Sequence, residues 1–289
     1  MKQNQFIKRS KEIERIIKLA LKEDMGKGDI TTRLTIPTNA KANARIIAKQ
    51  PGVLAGSKFV LMIFNILDQK TKVEFKIKDG AQFKKGTFIA EISGKIRALL
   101  SGERTALNIL CRLSGIATLT RKFVDSVLHT KAKILDTRKT TPNLRVLEKY
   151  AVRIGGGTNH RSGLYDMILI KDNHIKATGS TTKAVKLAQA GNKNNLMIEV
   201  ETKNLAEVKE ALAFKVPWIM LDNMNIKQIK QAVKLVKGKA KLEVSGNVNL
   251  KTVSKIAETG VDYISVGALT HSAPIIDMSM KITDSKLSR

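Results

Sequence analysis

Hydrophobic and polar positions fall into two regimes along this chain. From Lys133 onward, short stretches rich in apolar residues each end abruptly in polar or glycine-containing tips: KILDTRK, DMILIKDNH, NLMIEVET, WIMLDN, KLEVSGN and YISVGAL. Between them lie stretches with helical spacing, STTKAVKLAQAG, LAEVKEALAF, IKQIKQAVKLVK and LKTVSKIAETG. The tip residues Lys139, Lys171, Glu201, Asp222, Ser245 and Gly267 succeed one another at intervals of 32, 30, 21, 23 and 22 residues. That alternation and spacing predict βα units closing by right-handed crossovers into a parallel sheet. Six units make a barrel short of the usual eight strands, or an open one.

The first regime reads differently. Ile13, Ile16, Ile17, Ala20 and Leu21 recur at helical spacing, an amphipathic helix that Gly26 and Gly28 end. Asp24 and Asp29, in the turn that follows, read as capping and turn residues rather than ligands. Residues 43–92 alternate strand-like runs (ARIIAKQPGVLAG, TKVEFKIKDG, GTFIAEISG) with one helical run, SKFVLMIFNILDQ, which predicts an α+β layer. KDGAQFKKGTFIAEISG is similar to half of a biotinyl or lipoyl carrier domain, but no lysine occupies the hairpin tip such a carrier modifies. From Ser101 to about Val127 the pattern is helical again. Arg104 then falls in the first turn, where the helix dipole disfavours a cation and a functional role becomes attractive.

Composition changes this picture in one respect. Hydrophobic residues make up 43% of 289, ordinary for a globular protein, but 52 basic against 25 acidic residues leave a net charge of +27. Nucleic acid is the first suspicion. The lysines, however, are scattered without a long run, and aromatics are only 4%, which removes most stacking platforms. Lys outnumbers Arg 39 to 13, and the arginines concentrate between Arg104 and Arg161. Because Arg contacts carboxylate and phosphate in a planar, bidentate way that Lys does not reproduce, the balance favours small acidic substrates over nucleic acid. The single cysteine, Cys111, sits in an apolar helical pattern and reads as a buried thiol in a reducing compartment. No stretch approaches the roughly 18 apolar residues of a membrane span, so a cytoplasmic protein is expected.

The tips themselves carry an ordered chemistry. The first two are cationic (Arg138, Lys139; Lys171), and Gly155–Gly157 and the cluster Asn159, His160, Arg161 lie between them. The middle two are acidic (Glu201, Asp222), and the last two are small (Ser245, Gly246, Asn247; Val266, Gly267, Ala268). Backbone N–H groups at glycine-containing turns before helices cradle phosphates, carboxylates beside them hold ribose hydroxyls or Mg²⁺, and Arg and Lys hold carboxylates or pyrophosphate. Each feature has a plainer reading: Ser-Gly as a turn, a strand-tip Asp as an N-cap, His160 and His174 as structural hydrogen bonders. Glu199 and Glu201 point to the same side of their strand. The order of the tips favours a phosphorylated sugar together with a polycarboxylate.

At these residues the chain resembles the quinolinate phosphoribosyltransferase family. The matching stretches are EDMGKGDITT, GERTALNILCRLSGIAT, LDTRKTTPNLR, EKYAV with GGGTNHRSGLYDMILIKDNHI, IEVET, LDNM, LEVSGN and GVDYISVGALTHSAPIIDMS. The resemblance implies an N-terminal α/β sandwich domain over residues 1–115 and a C-terminal open, incomplete TIM-like α/β barrel over 116–274. The tail 275–289 would pack back on the first domain. It implies transfer of phosphoribose from phosphoribosyl pyrophosphate to quinolinate with loss of CO₂, giving nicotinate mononucleotide and pyrophosphate with Mg²⁺ as cofactor. A homodimer with a shared active site is implied too, with a hexamer left open, and neither nucleic acid nor membrane as a partner.

Carried over by motif, Thr137, Arg138, Lys139, His160 and Arg161 would bind quinolinate, and Arg104 would come from the other subunit. Lys171 would meet pyrophosphate or substrate charge, and Glu201 and Asp222 the ribose hydroxyls and the metal. Ser245, Gly246, Asn247, Val266, Gly267 and Ala268 would bind the 5′-phosphate. Lys139, Lys171, Glu201 and Asp222 are the catalytic candidates. The family usually has Gly where this chain has Asn143 and Asn247; Asn tolerates positive φ better than other non-glycine residues, so both turns are expected to survive. The rivals are a related protein associated with molybdenum uptake, a basic nucleic-acid binder, and a barrel kept only for interactions. The IKDNH tip and the NHR cluster take the quinolinate-type form.

Overall fold

The computed structural model describes residues 2–286, so the last three residues of the expected tail lie outside the described residues. Two compact units emerge. The first comprises residues up to Leu119, the segment Thr141–Gly156 and the C-terminal stretch from Ala273. It opens with helix α1 (Lys2–Met25), which buries Ile16, Ile17 and Leu21, and the short α2 (Ile30–Thr35). Asp29 caps α2 by accepting the Thr32 N–H at 2.9 Å, the plain role its position suggests.

Strands β1 (Lys41–Ala48), β2 (Gly52–Val53), β3 (Lys72–Phe75), β4 (Gln82–Phe83) and β5 (Phe88–Lys95) follow, with helix α3 (Ser57–Leu67) between β2 and β3. The main sheet is antiparallel, in the order closing strand (Met278–Lys286), β1, β5, β3; β2 and β4 form a separate pair. Along β1, Ala42, Ala44, Ile46 and Ala48 are buried alternately, the period-2 signature of a strand packed on one face. Helix α3 buries Phe59, Val60, Ile63 and Phe64, each worth about 1.5–3 kcal/mol of transfer free energy. Helix α5 (Arg145–Ile154) also belongs to this unit. Cys111 is buried, and loss of water pushes its thiol up to about 11.

Helix α4 (Ile96–Asp125) corrects the expected start at Ser101. The apolar stripe of the helix runs back through Leu99 to Ile96, and the helix begins directly after Lys95, the last residue of β5. Arg104 is therefore two turns inside the helix and exposed. The dipole acts within the first turn only, so that argument for Arg104 falls away.

The second unit holds Thr120–Thr140 and Gly157–Ser272. Its strands are β6 (Lys133–Leu135), β7 (Ile168–Ile170), β8 (Ile198–Thr202), β9 (Trp218–Asp222), β10 (Lys241–Ser245) and β11 (Tyr263–Ser265). All pairs are parallel, in the order β6-β11-β10-β9-β8-β7. Read around a circle, that order lacks a single junction, between β6 and β7: this is the open barrel. Thr158 makes an isolated parallel bridge to Leu135 beside β6, donating to Ile134 O and accepting from the Asp136 N–H. The intervening helices are α6 (Asp172–Thr178), α7 (Thr181–Gly191), α8 (Leu205–Ala213), α9 (Ile226–Val236), α10 (Val253–Ala257) and α11 (Ala268–His271). Residues Ile198, Val200, Ile219, Leu221, Leu242, Val244 and Ile264 form the buried apolar set of these strands, and the residues alternating with them fill the barrel interior. No helix among the described residues is long and apolar enough to cross a membrane.

Candidate active site

The strand ends and the turns after them surround a pocket of about 680 Å³ in the second unit, a volume typical of small-molecule sites. Thr137, Arg138, Lys139, His160, Arg161, Lys171, Glu201, Asp222, Ser245, Gly246, Asn247, Gly267 and Ala268 all line it. Two of the candidate residues do not. Arg104 belongs to the first unit. Val266 turns its side chain into the core, 1% exposed, and donates its N–H to Leu135 O at 3.0 Å, so neither is available to a phosphate. The residues missing from the sequence expectation are Leu169, Met220, Asn223, Glu243, Val248, Ser265 and His271.

The NHR cluster is fixed from the tip of β6. Asp136, fully buried, accepts from Asn159 Nδ2 at 2.6 Å and from the His160 N–H at 2.8 Å. This aims Arg161 beside Arg138, and both burial and the Arg138 charge push the Arg161 pKa down. Arg161 Nη1 reaches only a backbone oxygen, Met167 O, at 3.3 Å. Arg138 Nε is buried and has no hydrogen-bond partner among the described residues. Buried donors in folded proteins are almost always paired, so this one marks a place prepared for an acceptor that a ligand brings.

On the opposite side of the gap, Lys171 Nζ pairs with Glu201 Oε2 at 2.6 Å. Asp222 ends β9, and its Oδ2 accepts from Asn223 Nδ2 at 2.9 Å. The β10 turn has Gly246 at φ 95° and Asn247 at φ 52°, and Asn143 sits at φ 64°. Both asparagines thus adopt the left-handed conformation expected of the glycines they replace. Asn247 Nδ2 also donates to Asn223 Oδ1 at 3.1 Å, tying the tips of β9 and β10 together. His174 serves the chain itself, accepting the Lys171 N–H through Nδ1 at 2.9 Å.

At the floor of the pocket lies a layer of buried polar groups, of which His160 and Glu243 line it. His160 Nε2 is 3.0 Å from Glu199 Oε2 and 3.4 Å from Glu243 Oε2, and both glutamates are fully buried. Burial opposes a charged His160 ring, but the two carboxylates outweigh it and push the imidazole up. Burial, then the Glu243 charge, pushes the Glu199 carboxyl up as well. His160 Nδ1 accepts the Arg161 N–H at 2.7 Å, so the ring presents a proton on Nε2 to the two carboxylates.

The pocket holds four cationic side chains (Arg138, Lys139, Arg161, Lys171), two carboxylates (Glu201, Asp222) and the left-handed turn at Gly246–Asn247. An open α/β barrel with such a site is the framework of an enzyme acting on small polyanions. Comparison with known proteins narrows the class. The family description "Quinolinate phosphoribosyl transferase, N-terminal domain" matches residues 29–114, and its C-terminal counterpart matches 116–281. The chain belongs to the quinolinate phosphoribosyltransferase family. It is 44% identical over 290 residues to quinolinate phosphoribosyltransferase [decarboxylating] 2a, mitochondrial, of Nicotiana tabacum, covering 94% of this chain and 82% of the relative. A probable nicotinate-nucleotide pyrophosphorylase [carboxylating] of Synechocystis is 45% identical over 265 residues, 91% of this chain and 90% of the relative. The solved NadC structure from Streptococcus pyogenes superposes with a TM-score of 0.90 at 44% identity, covering 94% and 97% of the two chains.

Proposed function

We propose that the chain is a decarboxylating quinolinate phosphoribosyltransferase, forming nicotinate mononucleotide, pyrophosphate and CO₂ from quinolinate and phosphoribosyl pyrophosphate. The observation that carries this reading is the buried, unpartnered Nε of Arg138 beside the crowded guanidinium of Arg161. Quinolinate bears two adjacent carboxylates, and two guanidinium forks would neutralise both and remove the Arg–Arg repulsion. Lys139, at the pocket edge, adds charge to the same wall. Lys171 would release Glu201 to meet pyrophosphate, and Glu201 and Asp222 would take ribose hydroxyls. The turns at Gly246–Asn247 and Gly267–Ala268 offer backbone donors to the 5′-phosphate.

In this arrangement the C–O bond to pyrophosphate breaks as the pyridine nitrogen bonds to the ribose carbon. Glu201 and Asp222 stabilise positive charge developing on the ribose, and Lys171 stabilises the leaving group. Once quaternised, the ring nitrogen accepts the electrons released as the neighbouring carboxylate leaves as CO₂, and the ring carbon takes up a proton. No side chain need become a covalent nucleophile. Glu201 and Asp222 are hard oxygen donors beside open pocket space, a set that fits Mg²⁺ sharing its shell with substrate oxygens; bound there, the ion would offset charge on the departing pyrophosphate.

The reading includes a cytoplasmic homodimer in which Arg104, exposed on α4, serves the pocket of the other subunit. Calorimetric titration with quinolinate, with nicotinate as the control, tests the substrate, and CO₂ release in the presence of phosphoribosyl pyrophosphate tests the reaction. Binding of quinolinate much tighter than nicotinate is expected. Equal binding, or none, would refute the two-carboxylate clamp.

A further inference from the structure

The polar layer at the pocket floor takes no direct part in the chemistry just described, yet it is built at considerable cost. Taking a carboxylate out of water costs several kcal/mol, and here two, Glu199 and Glu243, lie against one imidazole with no exposed surface. Glu243 is held on three sides. Trp218 Nε1 donates to it at 3.1 Å, the Ser265 hydroxyl donates to its other oxygen, and His160 Nε2 lies at 3.4 Å. Trp218 is itself stacked on Tyr263 with ring centroids 4.5 Å apart, so Glu243 has a fixed anchor. Aliphatic side chains would fill this volume at lower cost, which points to a task beyond packing.

That task is visible at the other edge of the ring. His160 Nδ1 takes the Arg161 N–H at 2.7 Å, while the His160 N–H is held by Asp136 at 2.8 Å. Both ring nitrogens are engaged by the protein. The peptide from which the Arg161 side chain departs is therefore pinned by the ring, and the ring is pinned by the two glutamates.

We propose that Glu199 and Glu243 are positioning residues for the quinolinate clamp: they grip His160 through Nε2 so that Nδ1 locks the Arg161 backbone. His160 is then a strut between the barrel floor and Arg161. The inference rests on the reading of Arg138 and Arg161 as the quinolinate clamp. It predicts a split, because the strut ends on Arg161 and not on the turns at β10 and β11 assigned to the 5′-phosphate.

Steady-state kinetics of the full chain separate the possibilities, with thermal unfolding run alongside. Glu243→Ala is expected to raise KM for quinolinate about tenfold while KM for phosphoribosyl pyrophosphate stays within about twofold. Glu243→Gln keeps an acceptor for Trp218 or Ser265 and is expected to recover most of that loss. His160→Asn, whose Oδ1 can replace Nδ1 as acceptor for Arg161, is expected to bind quinolinate better than His160→Leu. If His160→Leu does not fold, the Glu243 pair decides alone. Equal rises in both KM values, or a lowered unfolding midpoint with KM for quinolinate unchanged, would overturn the proposal. So would equal losses in the Asn and Leu variants. A wild-type protein that fails to prefer quinolinate over nicotinate is a separate result, one that removes the substrate reading and this inference with it.

Discussion

The barrel interior contains two polar layers that obey opposite rules. In the upper layer, at the strand tips, Arg138 and Arg161 repel each other and Arg138 Nε lacks a partner. In the lower layer Glu243 and both ring nitrogens of His160 are engaged, and one oxygen of Glu199 is the exception. The two layers are separated by only two residues on a strand: Glu201 above Glu199 on β8, Ser245 above Glu243 on β10. The difference teaches where this fold keeps unsatisfied potential. The lower layer, satisfied apart from that one oxygen, holds shape, and the upper layer is left incomplete so that a ligand finishes it.

The sharpest way to break the contrast is Arg138→Ala. Losing a charge-assisted, bidentate contact made by substrate should lower kcat/KM for quinolinate by about 100- to 1,000-fold. Removing a repelling guanidinium should leave the unfolding midpoint unchanged or slightly higher, the stability–activity trade typical of such sites. A midpoint that dropped with activity would place Arg138 in the lower layer instead. Ser265→Ala is the converse experiment. It removes a buried donor to Glu243, with an expected loss of about 1–3 kcal/mol in denaturant unfolding and a smaller effect on turnover.

A milder effect is expected at Asn247, whose left-handed backbone makes Asn247→Val destabilising by about 1–2 kcal/mol. Asn247→Gly should be near neutral because eased backbone strain offsets the lost bond to Asn223. Chemical denaturation of both variants measures the difference.

The smallest effect concerns pH. Asp166 is partly buried, but the Ser162 and Gly163 N–H groups it accepts hold its pKa below the ordinary 3.8. Since the folded-state value is the lower one, the stabilisation is present above pH 3.8 and is lost as pH falls through the folded value. Protection factors of the Ser162 and Gly163 amides, with exchange rates corrected for their intrinsic pH dependence, should fall only in that acid window. A fall in protection near neutrality would contradict it.

Most of the architecture was legible because a buried parallel strand ends where its apolar run ends. All six tips of the second unit lie at or just past the strand ends, and Asp29 and His174 have the structural roles their positions suggest. The start of α4 was not legible, since Lys95 ends β5 and Ile96 opens the helix with no residue between them, and helical periodicity needs a turn or more to declare itself. Val266 was misassigned because the tip motif was read as a block, whereas strand alternation already turns Val266 to the side of Ile264 and away from the lumen. The lower layer was missed for another reason. Glu199, Trp218 and Glu243 sit on three strands, and only sheet register brings them together. Stepping back two residues from Glu201 and Ser245, and four from Asp222, would have named all three as lumen residues beneath the tips.

The missing junction between β6 and β7 has a thermodynamic consequence. Arg138 follows the strand on one side of it and Lys171 the strand on the other, while Thr158 alone bridges to the first. A polyanion touching both cations acts as a cross-stitch where the backbone has none. By linkage, a ligand at 100 times its Kd stabilises the folded state by about 2.7 kcal/mol. The Thr158 and Asp136 amides, which hold the only bridge at this margin among the described residues, are where that added protection against exchange should concentrate.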